Sequence, residues 1–187
     1  MQAVLKKAAA LDIAVICPLH GPVLTEDLGN YIGLYDVWSS YRAESEGVVI
    51  ACSSVYGNTR KAADILAAKL ADKGVKTVVH DLARDDMAEC VEDAFRYDRL
   101  VLASPTYNAD VFPFMRTFIE ALTERNYQKR TVGFIENGSW APLAAKVMKS
   151  MLEKSKELTF ADPVVTVRSA VNADSEAQIA ALADSLA

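Results

Sequence analysis

The chain has 187 residues, 51% hydrophobic and 24% charged, and a formal net charge of −5. That is room for one domain of ~100–150 residues and an appendage. The acidic balance, with no basic stripe, argues against a nucleic-acid surface, and no apolar run approaches the ~20 residues that span a bilayer. The N-terminus lacks a secretory signal's order of charge, apolar core and small residues, so the expected setting is the cytoplasm. Cys17, Cys52 and Cys90 are odd in number and widely spaced. They read as free thiols packed in apolar runs, not as a disulfide framework or a zinc site.

Residues 1–24 hold an apolar strand pattern over Ile13, Ala14, Val15, Ile16 and Cys17, then a tight turn through Pro18, Leu19, His20, Gly21 and Pro22. Residues 25–46 read as a linker in which Tyr31, Ile32, Leu34, Tyr35, Val37, Trp38 and Tyr41 recur at helical spacing. Such a face needs a cover. Without one, self-association is expected.

From residue 47 onward strand and helix patterns alternate. Strand patterns fall at 48–53, 75–80, 99–104, 131–136 and 164–168, several of them compact runs suited to a sheet buried on both faces. Between and after them lie five apolar stripes: Ala62, Ile65, Leu66 and Leu70; Met87, Cys90, Val91 and Ala94; Phe114, Phe118, Ile119 and Leu122; Leu143, Val147, Met148, Met151 and Leu152; and Ile179, Leu182, Ala183 and Leu186. Five strand-then-helix repeats predict an α/β fold, a doubly wound five-stranded parallel sheet with helices on both faces. Ligands in that architecture bind beyond the carboxyl ends of the strands, where the strand order reverses.

The loops at those ends carry the chemistry. Ser53, Ser54, Val55, Tyr56, Gly57, Asn58 and Thr59 join the first strand to the first helix of this region. Hydroxyls, a glycine and a helix N-terminus aim donors at one point, enough to hold a phosphate without a lysine. An ordinary βα turn with an Asn or Thr cap has the same spacing. The next loop runs through Ser104, Pro105, Thr106, Tyr107, Asn108, Ala109 and Asp110, and a third through Glu136, Asn137, Gly138, Ser139 and Trp140. Tyr56, Tyr107 and Trp140 would wall a planar heterocycle, or pack on neighbouring helices.

Together, Ser54 to Thr59, Ser104 to Asn108 and the Phe112-Pro113 pair resemble the flavodoxin-like domain of flavodiiron proteins, also called A-type flavoproteins. The resemblance covers about residues 47–187. It implies a flavodoxin-like strand order of 2-1-3-4-5 and bound FMN, the first loop holding the phosphate and the second and third enclosing the isoalloxazine ring. Main-chain groups from Thr106 to Ala109 become the ring-edge contacts, and Asp110 and Glu136, if near the ring, would disfavour its anionic reduced forms. The third loop has one glycine where many relatives are glycine-rich. Residues 1–24 are similar to the end of a metallo-β-lactamase-like domain, with His20 at the place of an iron ligand. The other ligands of that site are absent from the chain, so His20 is an orphaned ligand and no complete metal site is expected. The chain reads as the C-terminal piece of a larger flavodiiron protein: remnant 1–24, linker 25–46, FMN domain 47–187.

The function so implied is electron transfer. Electrons would come from a rubredoxin or a flavin/rubredoxin reductase and pass through FMN toward the diiron domain of the parent protein, which reduces dioxygen or nitric oxide. A homo-oligomer is compatible with that scheme. Two other classes stay open: a stand-alone flavin-dependent NAD(P)H or quinone reductase, and a non-catalytic flavodoxin-like interaction module. A receiver module needs an acidic cluster after the first strand, and Cys52, Ser53 and Ser54 offer none.

Overall fold

The computed structural model describes residues 1–187, which divide into two compact units, Met1–Glu44 and Ser45–Ala187. The first unit contains α1 (Gln2–Ala8) and α2 (Leu28–Ser39). Gln2 joins the two helices, its amide donating to the Asp36 carboxylate and to Ser39 Oγ, each at 2.9 Å. The expected strand in this stretch is reduced to a single antiparallel bridge between Ile16 and Leu24, and it closes the turn that carries an exposed His20. No residue of this unit is buried, and Tyr31, Tyr35 and Trp38 are exposed along α2. Residues 25–46 are therefore mostly helix, with exposed aromatics on α2 and no buried residue before β1.

The second unit contains β1 (Ser45–Cys52), α3 (Asn58–Asp72), β2 (Thr77–Asp81), α4 (Met87–Arg96), β3 (Tyr97–Tyr107), β4 (Asp110–Val111), α5 (Pro113–Glu124), β5 (Thr131–Asn137), α6 (Ala144–Met151), β6 (Thr159–Phe160), β7 (Val165–Val167) and α7 (Ala173–Ser185). The sheet order is β2-β1-β3-β5, with β6 and β7 both pairing parallel to β5 at its edge. That is the expected doubly wound order. The fifth strand is broken: β6 and β7 are separated by the Asp162–Pro163 turn, because a proline cannot donate to a ladder.

Alternation along the strands divides the interior into two clusters. Val48, Ile50, Cys52, Val101, Ala103 and Ile135 face α3 and α7, with Leu66, Leu70, Ile179 and Leu182 among their partners. Val49, Ala51, Leu100, Leu102, Val132 and Phe134 face the other layer, where Cys90, Val91, Phe118, Ile119 and Met148 come from α4, α5 and α6. Four of the five expected helical stripes face the core much as their spacing predicts. The stripe of α5 is the partial exception: Met115 is buried and Phe114 is 43% exposed, because the buried face is centred on Met115, Phe118, Ile119 and Leu122 at i, i+3, i+4 and i+7, which leaves Phe114 at its edge.

The third strand runs three residues past its expected end. It leaves the parallel sheet after Pro105 pairs with Asn137, then folds back as a hairpin onto β4 through Asn108 and Ala109, whose φ values are 52° and 58°. Two successive positive φ angles make the tight turn that suits strand twist. The hairpin stands at the carboxyl edge of the sheet, over the reversal of strand order between β1 and β3.

Candidate functional site

Four loops at that carboxyl edge enclose a cavity of about 430 Å³. The first follows β1. Its Ser54, Val55, Tyr56, Asn58 and Thr59 line the cavity, and Gly57, with φ of 86°, turns the chain into α3. Helix α4 is capped by Asp86 and α7 by the reciprocal Asn172–Ser175 pair, but no side chain caps α3. Its first amides, from Asn58 onward, have no helical acceptors and end at the cavity. Ser54 Oγ accepts from Gly57 N at 3.1 Å and holds the loop closed.

Ser53 tests whether a ligand belongs here. It is fully buried at the head of the loop, its N–H donates to Ala103 O at 2.9 Å, and its hydroxyl has no partner. Ser53 lies next to Ser54 and is itself outside the cavity lining; buried hydroxyls are rarely left unpaired, and a ligand oxygen reaching past Ser54 would satisfy this one. The lining contains no Asp, Glu, His, Lys or Arg. The nearest arginine in sequence, Arg60, is taken up by Asp64 at 2.7 Å, and Asp81 lies 4.0 Å from it. The groups on offer to an anion here are amides and hydroxyls alone, as a helix N-terminus permits. Cys52, just behind the loop, takes no part: burial pushes its thiol up to about 12.

The second and third loops supply flat walls. Pro105, Thr106 and Tyr107 come from β3, and Asn137, Gly138, Ser139 and Trp140 from the turn after β5. Tyr107 is braced edge-on against Phe112, with ring centroids 5.3 Å apart. Tyr56 is 92% exposed and Trp140 94%, so the rim has two aromatic surfaces with nothing packed on them. Thr106 ties the two loops together, its Oγ1 accepting from Leu143 N at 2.9 Å and Ala144 N at 3.1 Å, which caps α6 from outside. Gly138 lies so close to this junction that a Cβ there would stand 3.0 Å from Pro142 Cα.

The remaining residues expected in the site lie around the cavity, outside its lining. Ser104 Oγ accepts from Phe112 N at 3.2 Å and fixes the root of the hairpin. Asn108 and Ala109 form its tip. The buried Glu136 carboxylate accepts from Ala145 N and Thr166 Oγ1, each at 3.0 Å, and so ties β5 to α6 and β7. Asp110 pairs with Arg116, which holds its carboxyl below the usual range and neutralises its charge. The expected repulsion of a reduced ring by Asp110 and Glu136 therefore finds one carboxylate neutralised and the other engaged within the scaffold. Ser169, from the loop after β7, lines the cavity although nothing in the local sequence marks it. Its signal is only its position after the last strand.

A family model described as a flavodoxin domain matches residues 49–171. Among curated relatives, an uncharacterized protein of Methanocaldococcus jannaschii is 25% identical over 165 residues, 88% of this chain and 42% of the relative. The anaerobic nitric oxide reductase flavorubredoxin of Pectobacterium atrosepticum is 25% identical over 154 residues, 81% of this chain and 30% of the relative. Among solved structures, the rubredoxin oxygen:oxidoreductase of Desulfovibrio gigas is similar with a TM-score of 0.89 at 17% identity, over 99% of this chain and 47% of that one. A Streptococcus pneumoniae flavodoxin is similar with a TM-score of 0.65 at 22% identity, over 76% of this chain and 97% of its own. The chain thus spans less than half the length of these two curated relatives.

Proposed function

The chain belongs to the flavodoxin domain family, and on that premise we propose that its second unit holds FMN and passes electrons. The observation that carries this reading is the pairing of an uncharged, amide-rich cradle and an orphaned buried Ser53 hydroxyl with two unpacked aromatic faces, Tyr56 and Trp140. FMN, when bound, supplies one- and two-electron redox chemistry. Ser53, Ser54, Thr59 and the amides from Val55 to Asn58 bind its phosphate, with Gly57 giving the turn. Pro105, Thr106 and Tyr107, with Asn137, Gly138, Ser139 and Trp140, enclose the ring and exclude water from it. Ser104, Asn108, Ala109 and Glu136 shape those loops.

In the finer reading, electrons arrive from a rubredoxin or a flavin/rubredoxin reductase and leave toward a diiron site outside this chain, in an assembly of more than one copy. The names of the Pectobacterium and Desulfovibrio proteins support that scheme. Residues 1–24 then represent the end of a preceding domain, with His20 its former ligand, and residues 25–46 a linker to the FMN domain at 47–187. A cytoplasmic setting agrees with three free cysteines, and no helix is long and apolar enough to cross a membrane.

The test is the visible spectrum of purified protein after excess FMN and desalting. About one FMN per chain, followed by reduction of that FMN by reduced rubredoxin, is the expected result. A folded sample that retains no flavin overturns the reading and leaves an interaction module. Sustained NAD(P)H oxidation with a quinone, by this chain alone, replaces the carrier with a reductase.

A further inference from the structure

The loop after β7 is built with more care than a connector needs. Ser169 has φ of 67°, a left-handed conformation that costs free energy in any residue with a Cβ. Asn137 holds it there. The buried Asn137 side chain donates from Nδ2 to Ser169 O at 3.1 Å and accepts from Ser169 N at Oδ1, also at 3.1 Å, so one amide grips both main-chain groups of the strained residue. Gly138 N donates to Val167 O at 3.0 Å, and Ala170 N turns back to Arg168 O at 2.9 Å. The result is two exposed hydroxyls, Ser139 Oγ and Ser169 Oγ, 2.7 Å apart and both on the cavity lining. Strain that the surroundings over-determine, in a cavity wall, is where function is to be sought.

We infer that Ser169 completes the flavin site as a fourth wall, its hydroxyl acting with Ser139 as a neutral hydrogen-bonding pair for a polar edge of FMN. This rests on the FMN reading above. One O–H of the pair is used between the two oxygens, which leaves the other O–H and free lone pairs for the ligand. Such a pair suits a ligand edge that both donates and accepts, and it adds no charge to an already uncharged lining. The strained backbone is explained at the same time: in an extended conformation at residue 169 the Asn137 grip would be lost and the two hydroxyls would separate.

The geometry separates this role from plain loop support. Asn137 grips the main chain of Ser169, so Ser169→Ala removes the hydroxyl and keeps the grip. FMN affinity, from flavin fluorescence titration, is expected to fall about fivefold in Ser169→Ala, the order of one neutral hydrogen bond. The visible band of the bound flavin is expected to shift, and the urea midpoint of the apo-protein to stay unchanged. Ser169→Gly, which relieves the strain and also lacks the hydroxyl, is expected to lose at least the same affinity with equal or greater stability. If both variants bind FMN as tightly as the wild type with the same spectrum, the fourth wall is overturned while the FMN reading stands. If affinity falls only in step with the urea midpoint, the loop is structural and the inference fails. If the wild type itself binds no FMN, both readings fall together.

Discussion

Replacing Thr106 by valine removes one oxygen and leaves the shape of the side chain. That oxygen accepts from two amides at the start of α6, Leu143 N and Ala144 N, at 2.9 and 3.1 Å. Losing a cap acceptor costs ~1 kcal/mol. Ala144 is fully buried, so water does not reach its amide easily, and an unsatisfied buried donor adds ~1 kcal/mol or more. Leu143 is half-exposed and can turn to solvent. The expected total is ~2 kcal/mol, worth ~6 °C in Tm for a unit of this size. Urea unfolding of the apo-protein should show a lower midpoint with an unchanged slope, since the amount of surface exposed on unfolding is the same. Thr106→Ser keeps the oxygen and should recover most of the loss. FMN affinity should fall in the valine variant as well, because the same hydroxyl holds the second and third loops together. A loss below ~0.5 kcal/mol in Thr106→Val, or an equal loss in Thr106→Ser, would refute the capping role and assign the effect to methyl packing.

Cys17 is exposed and the other two cysteines are buried, so a thiol reagent at pH 8 should label one site per native chain and three after unfolding. Burial raises the Cys90 thiol to about 11 and the Cys52 thiol to about 12, from an ordinary value of 9.0. Below about pH 8 the thiols are protonated in both states and leave stability unchanged. Above about pH 9 the unfolded chain releases protons that the folded chain keeps, so stability falls by ~1.4 kcal/mol per pH unit per thiol, and urea midpoints flat to pH 10 would contradict this. At Gly57 a Cβ meets nothing within 4 Å, so Gly57→Ala should cost only the backbone term of ~1–2 kcal/mol. Gly138→Ala drives its Cβ against Pro142 Cα at 3.0 Å and should lose more FMN affinity than Gly57→Ala; the reverse order in flavin titrations would be a failure of the packing account. Asp110→Asn breaks an exposed ion pair worth ~0–1 kcal/mol. Because Arg116 lowers the folded carboxyl value, that contribution is present at neutral pH and lost as pH falls through the carboxylate range. FMN affinity should stay within twofold in that variant, and a tenfold change would mean that Asp110 faces the ligand after all.

Much of the fold was legible because apolar period alone carries it. Val48, Ile50 and Cys52 go to one layer and Val49 and Ala51 to the other, as a strand buried on both faces requires. The cavity lining was legible where a residue type has a local reason to be there: hydroxyls and a glycine before a helix, or an aromatic beside a proline. Three features were not. Ser169 is held on the lining by Asn137, 32 positions away in sequence, and no short window contains both. Glu136 looks like a loop carboxylate, yet its partners are an amide and a hydroxyl on other elements, so tertiary contacts alone decide that it is buried. The Asn108–Ala109 turn needs two positive φ angles and has no glycine, so turn composition understated it and the third strand was expected to end early.

None of the residues lining the cavity belongs to either apolar cluster. Apolar packing and recognition therefore answer to separate sets of positions, with Thr106 and Asn137 the lining residues that also tie the scaffold by hydrogen bonds, and a lineage can alter the rest of the rim while conserving the core. Drift in the rim changes which ligand is accepted or how a redox partner docks without eroding the chassis beneath. The same partition makes the unit a suitable host for loop grafting: segments moved in from a distant relative would meet a platform whose hydrophobic interior they never touch.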